Sequence, residues 1–373
     1  MCKRLLASTL AVLVLAPAAR AQPRKREAFE VGIDNALEYL VKSQAPDGSW
    51  PSGRGFRGMP GGGQDPAVSA LCVMAFLSAG HVPGEGKYGP VIEKGVRWVC
   101  DQQLQNGVLA GQNSGMTVMY SHGISTLMLA EVIGLMPDRR EAAVLRKRLE
   151  AAVKLIRYAQ ARGGPTKGGW RYSVEPRDAD LSVTAWQVMA LRAAKNVGCD
   201  VPAETIENAV KYVKDSRDAS GGFRYTRSGA VTLPCTAAGI LSLELAGKEF
   251  HGSDESLASA DYILGQLHQA ARRGDRHFVG QNHFFYGVYY TAQAMFQVGG
   301  ARWKDYREYL HWLLLHSAAH PQHESGFWTG VSGDDHNAGV NYCTAMAVLS
   351  LTVEYRFLPI YQRGEEPEER EGK

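Results

Sequence analysis

The chain has 373 residues, 45% hydrophobic and 21% charged, with a net charge of +3. That composition supplies a large core and excludes wholesale disorder. Residues 1–21 carry Lys3, Arg4 and Arg20 and no acid, so the rest of the chain is electrically neutral and gives no sign of nucleic-acid binding.

The N-terminus reads as an export signal. Lys3 and Arg4 precede the apolar run Leu5 to Ala16, and Ala19-Arg20-Ala21 fits a small-x-small cleavage rule. The expectation is a signal peptide over residues 1–21, a mature chain from Gln22, and a secreted or periplasmic protein. The apolar run is too short to span a bilayer comfortably. No other segment reads as a crossing, so no membrane span is expected after cleavage. Cys72, Cys100, Cys199, Cys235 and Cys343 remain, widely spaced and without C-x-x-C. This excludes a disulfide scaffold or a zinc ribbon. Buried small hydrophobes are expected, with a single chance disulfide left open.

Two series of landmarks run along the chain. The turns are Asp47-Gly-Ser-Trp50, Asn106-Gly-Val108, Gly168-Gly-Trp170, Gly221-Gly-Phe223, His277-Phe-Val-Gly280 and Gly326-Phe-Trp328, spaced by 50 to 62 residues. Ser69-Ala70, Ser125-Thr126, Thr184-Ala185, Thr236-Ala237, Thr291-Ala292 and Thr344-Ala345 follow them at steps of 52 to 59. Two independent series with one period define six repeats.

Each repeat reads as helix, Gly-aromatic turn, helix. The leading helix is amphipathic. In the first, Ile33, Ala36, Leu37, Leu40 and Val41 share a face, with Asp34, Glu38 and Lys42 opposite. Later ones are expected at 91–105, 141–161, 203–216, 255–269 and 304–316. Asp138 with Glu141 has capping-box spacing, and Pro202 suits a helix start. The second helix is apolar nearly all round and rich in small residues, as in Ser69–Phe76, Asp178–Leu191 and Thr344–Leu351. Such a helix is buried on most sides. The predicted fold is all-α: a closed (α/α)6 barrel over residues 22–363, amphipathic helices outside and apolar ones inside. An open solenoid would need polar caps at its ends, and neither end has one. The Gly-rich stretch 51–64 is either a flexible insertion or a lid over the mouth. Residues 364–373 read as a disordered charged tail. Just before it, Tyr355–Gln362 is apolar enough to dock and close the ring.

The turn Gln44-Ala-Pro-Asp-Gly-Ser-Trp50 and the helix Thr184–Leu191 resemble the prenyltransferase and squalene-cyclase repeats. That superfamily, which has secreted bacterial members of unassigned activity, implies an α/α toroid over about residues 28–360. It also implies an isoprenoid or other apolar ligand in the lumen, where aromatics stabilise cations. The superfamily's active residues do not carry over. Aligned on Thr184-Ala185, the class II cyclase acid motif D-x-D-D falls on Asp180, Leu181, Ser182 and Val183, with serine at the proton-donor position. The D-x-C…H zinc set of protein prenyltransferases is missing as well.

In repeat register, polar residues gather at the N-termini of the inner helices and should ring one mouth of the barrel. Asp65 and Asp180 hold equivalent positions four residues before their landmarks. Asp178, Asp180 and His122 are the candidate acids and bases, although an Asp before a helix is also a favoured cap. Tyr120, Tyr286, Tyr289, Tyr342 and Asn341 are candidate ligand-binding residues. His283, His336 and Asp335 are a candidate metal set. The cofactor is left open. Three functions stay open: a toroid binding or transforming an apolar ligand, a non-catalytic module for a cell-envelope partner, and a polysaccharide hydrolase or lyase.

Overall fold

A computed structural model of the chain describes residues 26–53, 63–111, 117–274 and 283–362. The expected leader, the charged tail, most of the Gly-rich stretch and the fifth turn at 277–280 lie outside the described residues. Six outer helices are α1 (Ala28–Ser43), α3 (Gly89–Asp101), α5 (Arg139–Ala159), α7 (Ala203–Asp215), α9 (Asp254–Arg272) and α11 (Gly300–Leu315). Six inner helices are α2 (Pro66–Ser78), α4 (Val118–Val132), α6 (Leu181–Asn196), α8 (Leu233–Ala246), α10 (Phe284–Val298) and α13 (Val340–Leu351). A short α12 (Gly333–Ala338) and a small hairpin of β1 (Phe223–Arg224) and β2 (Val231–Thr232) were not foreseen.

The inner helices form a closed ring. Each packs on the next in the order α2, α4, α6, α8, α10, α13, and α13 packs back on α2. The expected toroid is therefore the observed one, and the open solenoid is excluded. The inner helices bury almost every side chain, whereas outer helices bury one stripe. One helical stretch, Val118–Leu135, is long and apolar enough to cross a membrane, which corrects the expectation that no segment beyond the leader reads as a crossing. Here it is mostly buried in the core. All five cysteines of the described residues are buried and unpaired.

The landmarks have a physical explanation. The backbone N–H of Trp50, Trp170, Phe223 and Trp328 donates to the hydroxyl of Ser69, Thr184, Thr236 and Thr344, at 3.0, 3.0, 3.0 and 3.1 Å. The indole N–H of Trp50, Trp170 and Trp328 donates to Leu40, Ile156 and Leu314 carbonyls near the C-termini of α1, α5 and α11. The three tryptophan turns thus fasten their outer helices to their inner ones by paired hydrogen bonds. We expect Thr184→Val to strand the Trp170 N–H and cost about 2 kcal/mol. Chemical denaturation measures this, and an unchanged midpoint would remove the landmark's structural role.

A third series, not recognised in the sequence beyond its first member, joins one repeat to the next. Gln44, Gln103, Gln160 and Gln322 each donate to their own turn and to the next outer helix, at the carbonyls of Val91, Arg148, Thr205 and Gly32. The last of these bonds joins the end of the ring to α1. Repeat four departs from the series. Arg217 replaces the glutamine and donates to the Ser259 hydroxyl. A cavity of about 320 Å³ opens beside it, with Phe223 and Leu243 among its walls.

Candidate functional site

The N-termini of the inner helices share one end of the ring, and the sequence places most of its candidates there. Asp180 is fully buried and caps α6. Its Oδ1 accepts from the Val183 N–H (2.8 Å) and the Ser182 hydroxyl (2.7 Å), and its Oδ2 from Arg171 (2.7 Å). Burial pushes this carboxyl up, while those three donors pull it back. The Tyr120 hydroxyl lies 2.5 Å from Ser182 Oγ, so a chain of hydroxyls runs from the recess to the buried carboxylate.

Arg171 organises one side of the mouth, and the sequence reading missed it. Besides Asp180, its Nε lies 3.3 Å from Asp178, which is exposed. Its guanidinium sits over the rings of Tyr172 (4.4 Å) and Tyr225 (5.5 Å) and also donates to the Tyr225 hydroxyl. The hydroxyls of Tyr172 and Tyr225 bond to each other. The available signal was Gly-Gly-Trp-Arg-Tyr beside Gly-Gly-Phe-Arg-Tyr, the same pentapeptide pattern in repeats three and four. In each copy the tyrosine lies two residues beyond the anchored aromatic.

Asp65 is the counterpart of Asp180 in the first repeat. It caps α2, and its Oδ1 accepts from the Ala67 N–H (2.8 Å) and the Ser121 hydroxyl (2.9 Å). Consecutive residues of α4 thus reach opposite ways, Tyr120 toward α6 and Ser121 toward α2, because successive helical side chains diverge by about 100°. Asp65 differs from Asp180 in two respects. It is half-buried, and it has no arginine partner among the described residues. Burial raises its carboxyl, opposed by the Ala67 N–H and Ser121.

Tyr286 enters from α10, which faces α4 across the ring. Its hydroxyl is buried and makes no well-formed hydrogen bond, with the equally unsatisfied Tyr290 hydroxyl of the same helix beside it, and it lies within electrostatic reach of Tyr120, Cys235, Asp180 and Tyr342. Those groups stand on four other inner elements, so the hydroxyl lies near the ring axis. Tyr120, Tyr286 and Tyr342 are half-buried, as residues lining a recess should be. Below them the lumen is filled. Trp186 of α6 stacks on Tyr289 of α10 (5.4 Å, 10°) and meets Tyr290 edge-on. Since α6 and α10 are not ring neighbours, these contacts cross the interior. Tyr361, from the C-terminal segment, closes the far end by a 3.0 Å bond to the Tyr289 hydroxyl.

Several candidates stand elsewhere than expected. His122 is wholly buried; its Nδ1 accepts from the Leu109 N–H (3.0 Å), and its Nε2 lies 3.1 Å from the Ala152 carbonyl of α5. It therefore fastens the second turn, and burial lowers its pKa to about 4. With both nitrogens engaged between helices, it has no lone pair to offer a substrate. Asn341 accepts from the Ser43 hydroxyl and donates to the Pro51 carbonyl, stitching α13 to the first repeat. Tyr289 belongs to the filled lumen rather than the rim. The candidate metal set is dispersed in its bonding. Asp335 accepts from the Phe285 N–H at the start of α10, His283 lies 3.3 Å from Asp334, and His336 faces the Gly330 carbonyl. No group of three His, Cys, Asp or Glu that could hold a metal ion occurs among the described residues.

No family model and no curated protein matches the sequence. Solved structures do. The GH76A alpha-1,6-mannanase of Salegentibacter sp. HEL1_6 superposes with a TM-score of 0.61 at 11% identity, over 89% of this chain and 100% of that one. Cellobiose 2-epimerase of Bacillus thermoamylovorans B4167 gives 0.57 at 11%, over 87% and 99%. A type II terpene cyclase of Scytonema gives 0.55 at 15%, over 89% and 99%. At these identities the likeness is one of fold. The chain is an α/α toroid, built on the architecture that terpene cyclases share with toroidal carbohydrate enzymes.

Proposed function

We propose that the protein is a hydrolase-like enzyme acting at the toroid mouth on a polar, ring-shaped ligand of the carbohydrate class. The unpartnered Tyr286 hydroxyl carries this reading. A buried phenol near the ring axis calls for a hydrogen-bonding partner, which a sugar hydroxyl supplies and an isoprenoid chain does not. Around it, Tyr120, Tyr172, Tyr225 and Tyr342 offer aromatic faces with polar edges, and Asp65 and Asp180 offer carboxyl groups. The neighbouring mannanase and epimerase support the substrate class by the sugars in their names. The isoprenoid reading draws on the terpene cyclase and the aromatic lumen. It is disfavoured because Trp186, Tyr289 and Tyr290 already fill that space, and because Asp180 is ion-paired where alkene protonation needs an uncharged acid. Export over residues 1–21 would give such an enzyme access to extracellular glycans.

Calorimetric titration with soluble oligosaccharides, beside mass spectrometry of co-purifying small molecules, tests the reading. Glycan binding is expected in the wild type and about ten-fold weaker binding in Tyr286→Phe, the loss of one hydrogen bond. A bound lipid with no glycan affinity would reverse the assignment.

A further inference from the structure

Two carboxyl groups flank α4 at the mouth, and their surroundings assign them different work. Asp180 is 0% exposed, which leaves no direct path from it to a ligand in the recess. Its contact with the recess runs through Ser182 and Tyr120. Arg171 pairs with it at 2.7 Å and opposes the upward push of burial. Asp65 is reachable, has no cation beside it among the described residues, and uses only Oδ1 for its two hydrogen bonds. Its second oxygen accepts nothing from the described residues. The mouth also carries a ligand signal independent of the acids: the unsatisfied hydroxyl of Tyr286.

We infer that Asp65 is the catalytic proton donor of the mouth, and that Asp180 is the proton acceptor, reached through the Tyr120–Ser182 relay. This rests on the carbohydrate reading. The Asp65 carboxyl gives its proton to the glycosidic oxygen as the bond to the anomeric carbon breaks. The electron pair leaves with that oxygen, which departs as an alcohol. Water attacks the anomeric carbon. Its proton passes to the Tyr120 hydroxyl, whose own proton moves to Ser182, and the Ser182 proton moves to the Asp180 carboxylate. The net change is hydrolysis, with one proton moved from Asp65 to Asp180 and returned through solvent. Separating the two environments in this way gives one acid and one base from identical side chains. It also gives the serine at the cyclase donor position a role as a relay.

The experiment uses the full-length mature protein with α-1,6-mannotriose and cellobiose as probes, and Asp65→Asn, Asp65→Glu and Ser182→Ala as variants. Infrared difference spectra of wild type against Asp65→Asn should show the protonated carboxyl of Asp65 persisting to higher pH than an exposed aspartate allows. Asp65→Asn should bind a probe within about three-fold of wild type and lose at least ~100-fold in kcat, with Asp65→Glu recovering part of it. Ser182→Ala should lower kcat by about ten-fold or more at unchanged KM and reduce the solvent isotope effect. Turnover of a probe by Asp65→Asn at the wild-type rate, or an ordinary titration of Asp65 near pH 4, overturns the inference while the carbohydrate reading stands. Failure of the wild type to bind or cleave either probe overturns the carbohydrate reading, and the inference with it.

Discussion

Gly168→Ala is expected to destabilise the protein by about 4 kcal/mol or more, enough to unfold many domains. Gly168 has a φ of +93°, which costs any other residue. A methyl group there would also lie 2.0 Å from the Asn208 carbonyl oxygen of α7, so one backbone must move. The same geometry recurs along the chain. Gly48, Gly107 and Gly326 have φ values of +98°, +91° and +95°, and a Cβ on each would meet the carbonyl of Lys94, Ala151 or Asn35 at 2.5, 3.0 or 2.2 Å. Turn and next outer helix approach so closely that only hydrogen fits. Gly163→Ala is the control, because nothing lies within 4 Å of its Cβ position and its backbone is extended. It should change stability by less than about 0.5 kcal/mol. Equal denaturation midpoints for the two variants would refute this account of the turns.

Glu131→Gln is expected to stabilise the protein at neutral pH. Glu131 lies at the end of α4, 1% exposed, and its Oε2 accepts from the Ile360 N–H of the segment that closes the far end of the lumen. Burial raises its pKa to about 8, opposed by that single hydrogen bond. The sign follows from linkage. A carboxyl held above its unfolded value of 4.5 is protonated in the folded chain while the unfolded chain ionises. Its contribution is fully present below pH 4.5 and is lost as pH rises toward 8. By pH 7 the loss is about 3 kcal/mol. Glutamine keeps a carbonyl for Ile360 and cannot ionise. The variant should therefore exceed wild type by about 3 kcal/mol at pH 7, by more at pH 8, and by little at pH 4. His122 titrates alike in both proteins, so its loss of stability in acid cancels from the difference. Denaturant midpoints at the three pH values decide it, and a difference independent of pH would mean that Glu131 is ionised in the fold.

The fold was largely legible. The Ser/Thr-Ala landmarks could be read because Ser69, Thr184, Thr236 and Thr344 supply the hydroxyl that their turns require, and a recurring hydrogen bond leaves a recurring residue. The expected outer helix 203–216 differs from Ala203–Asp215 by one residue, since its amphipathic stripe ends with the burial it serves. The glutamine series escaped notice because its partners are backbone carbonyls, which leave no mark in the sequence. The site was legible only in part. Register brought Asp65, Asp180, Tyr120, Tyr286 and Tyr342 to one mouth correctly. It could not show that Asp180 is shut away behind Arg171, or that His122 turns outward to α5, because both depend on side-chain direction around a helix rather than on position along it.

Periodicity in the sequence by itself determined the number of repeats, the alternation of outer and inner helices and the end of the barrel at which the polar residues collect. These follow from local rules: helical amphipathicity, glycine at positive φ, and a hydroxyl one turn into each inner helix. Only the tertiary structure decided that Trp186 and Tyr289 fill the interior of the ring, and that an unsatisfied tyrosine hydroxyl stands among its inner helices. Those features arise from contacts between helices far apart in the chain. Burial and pairing, which set the charge and reach of each carboxyl, exist only once all six repeats have met.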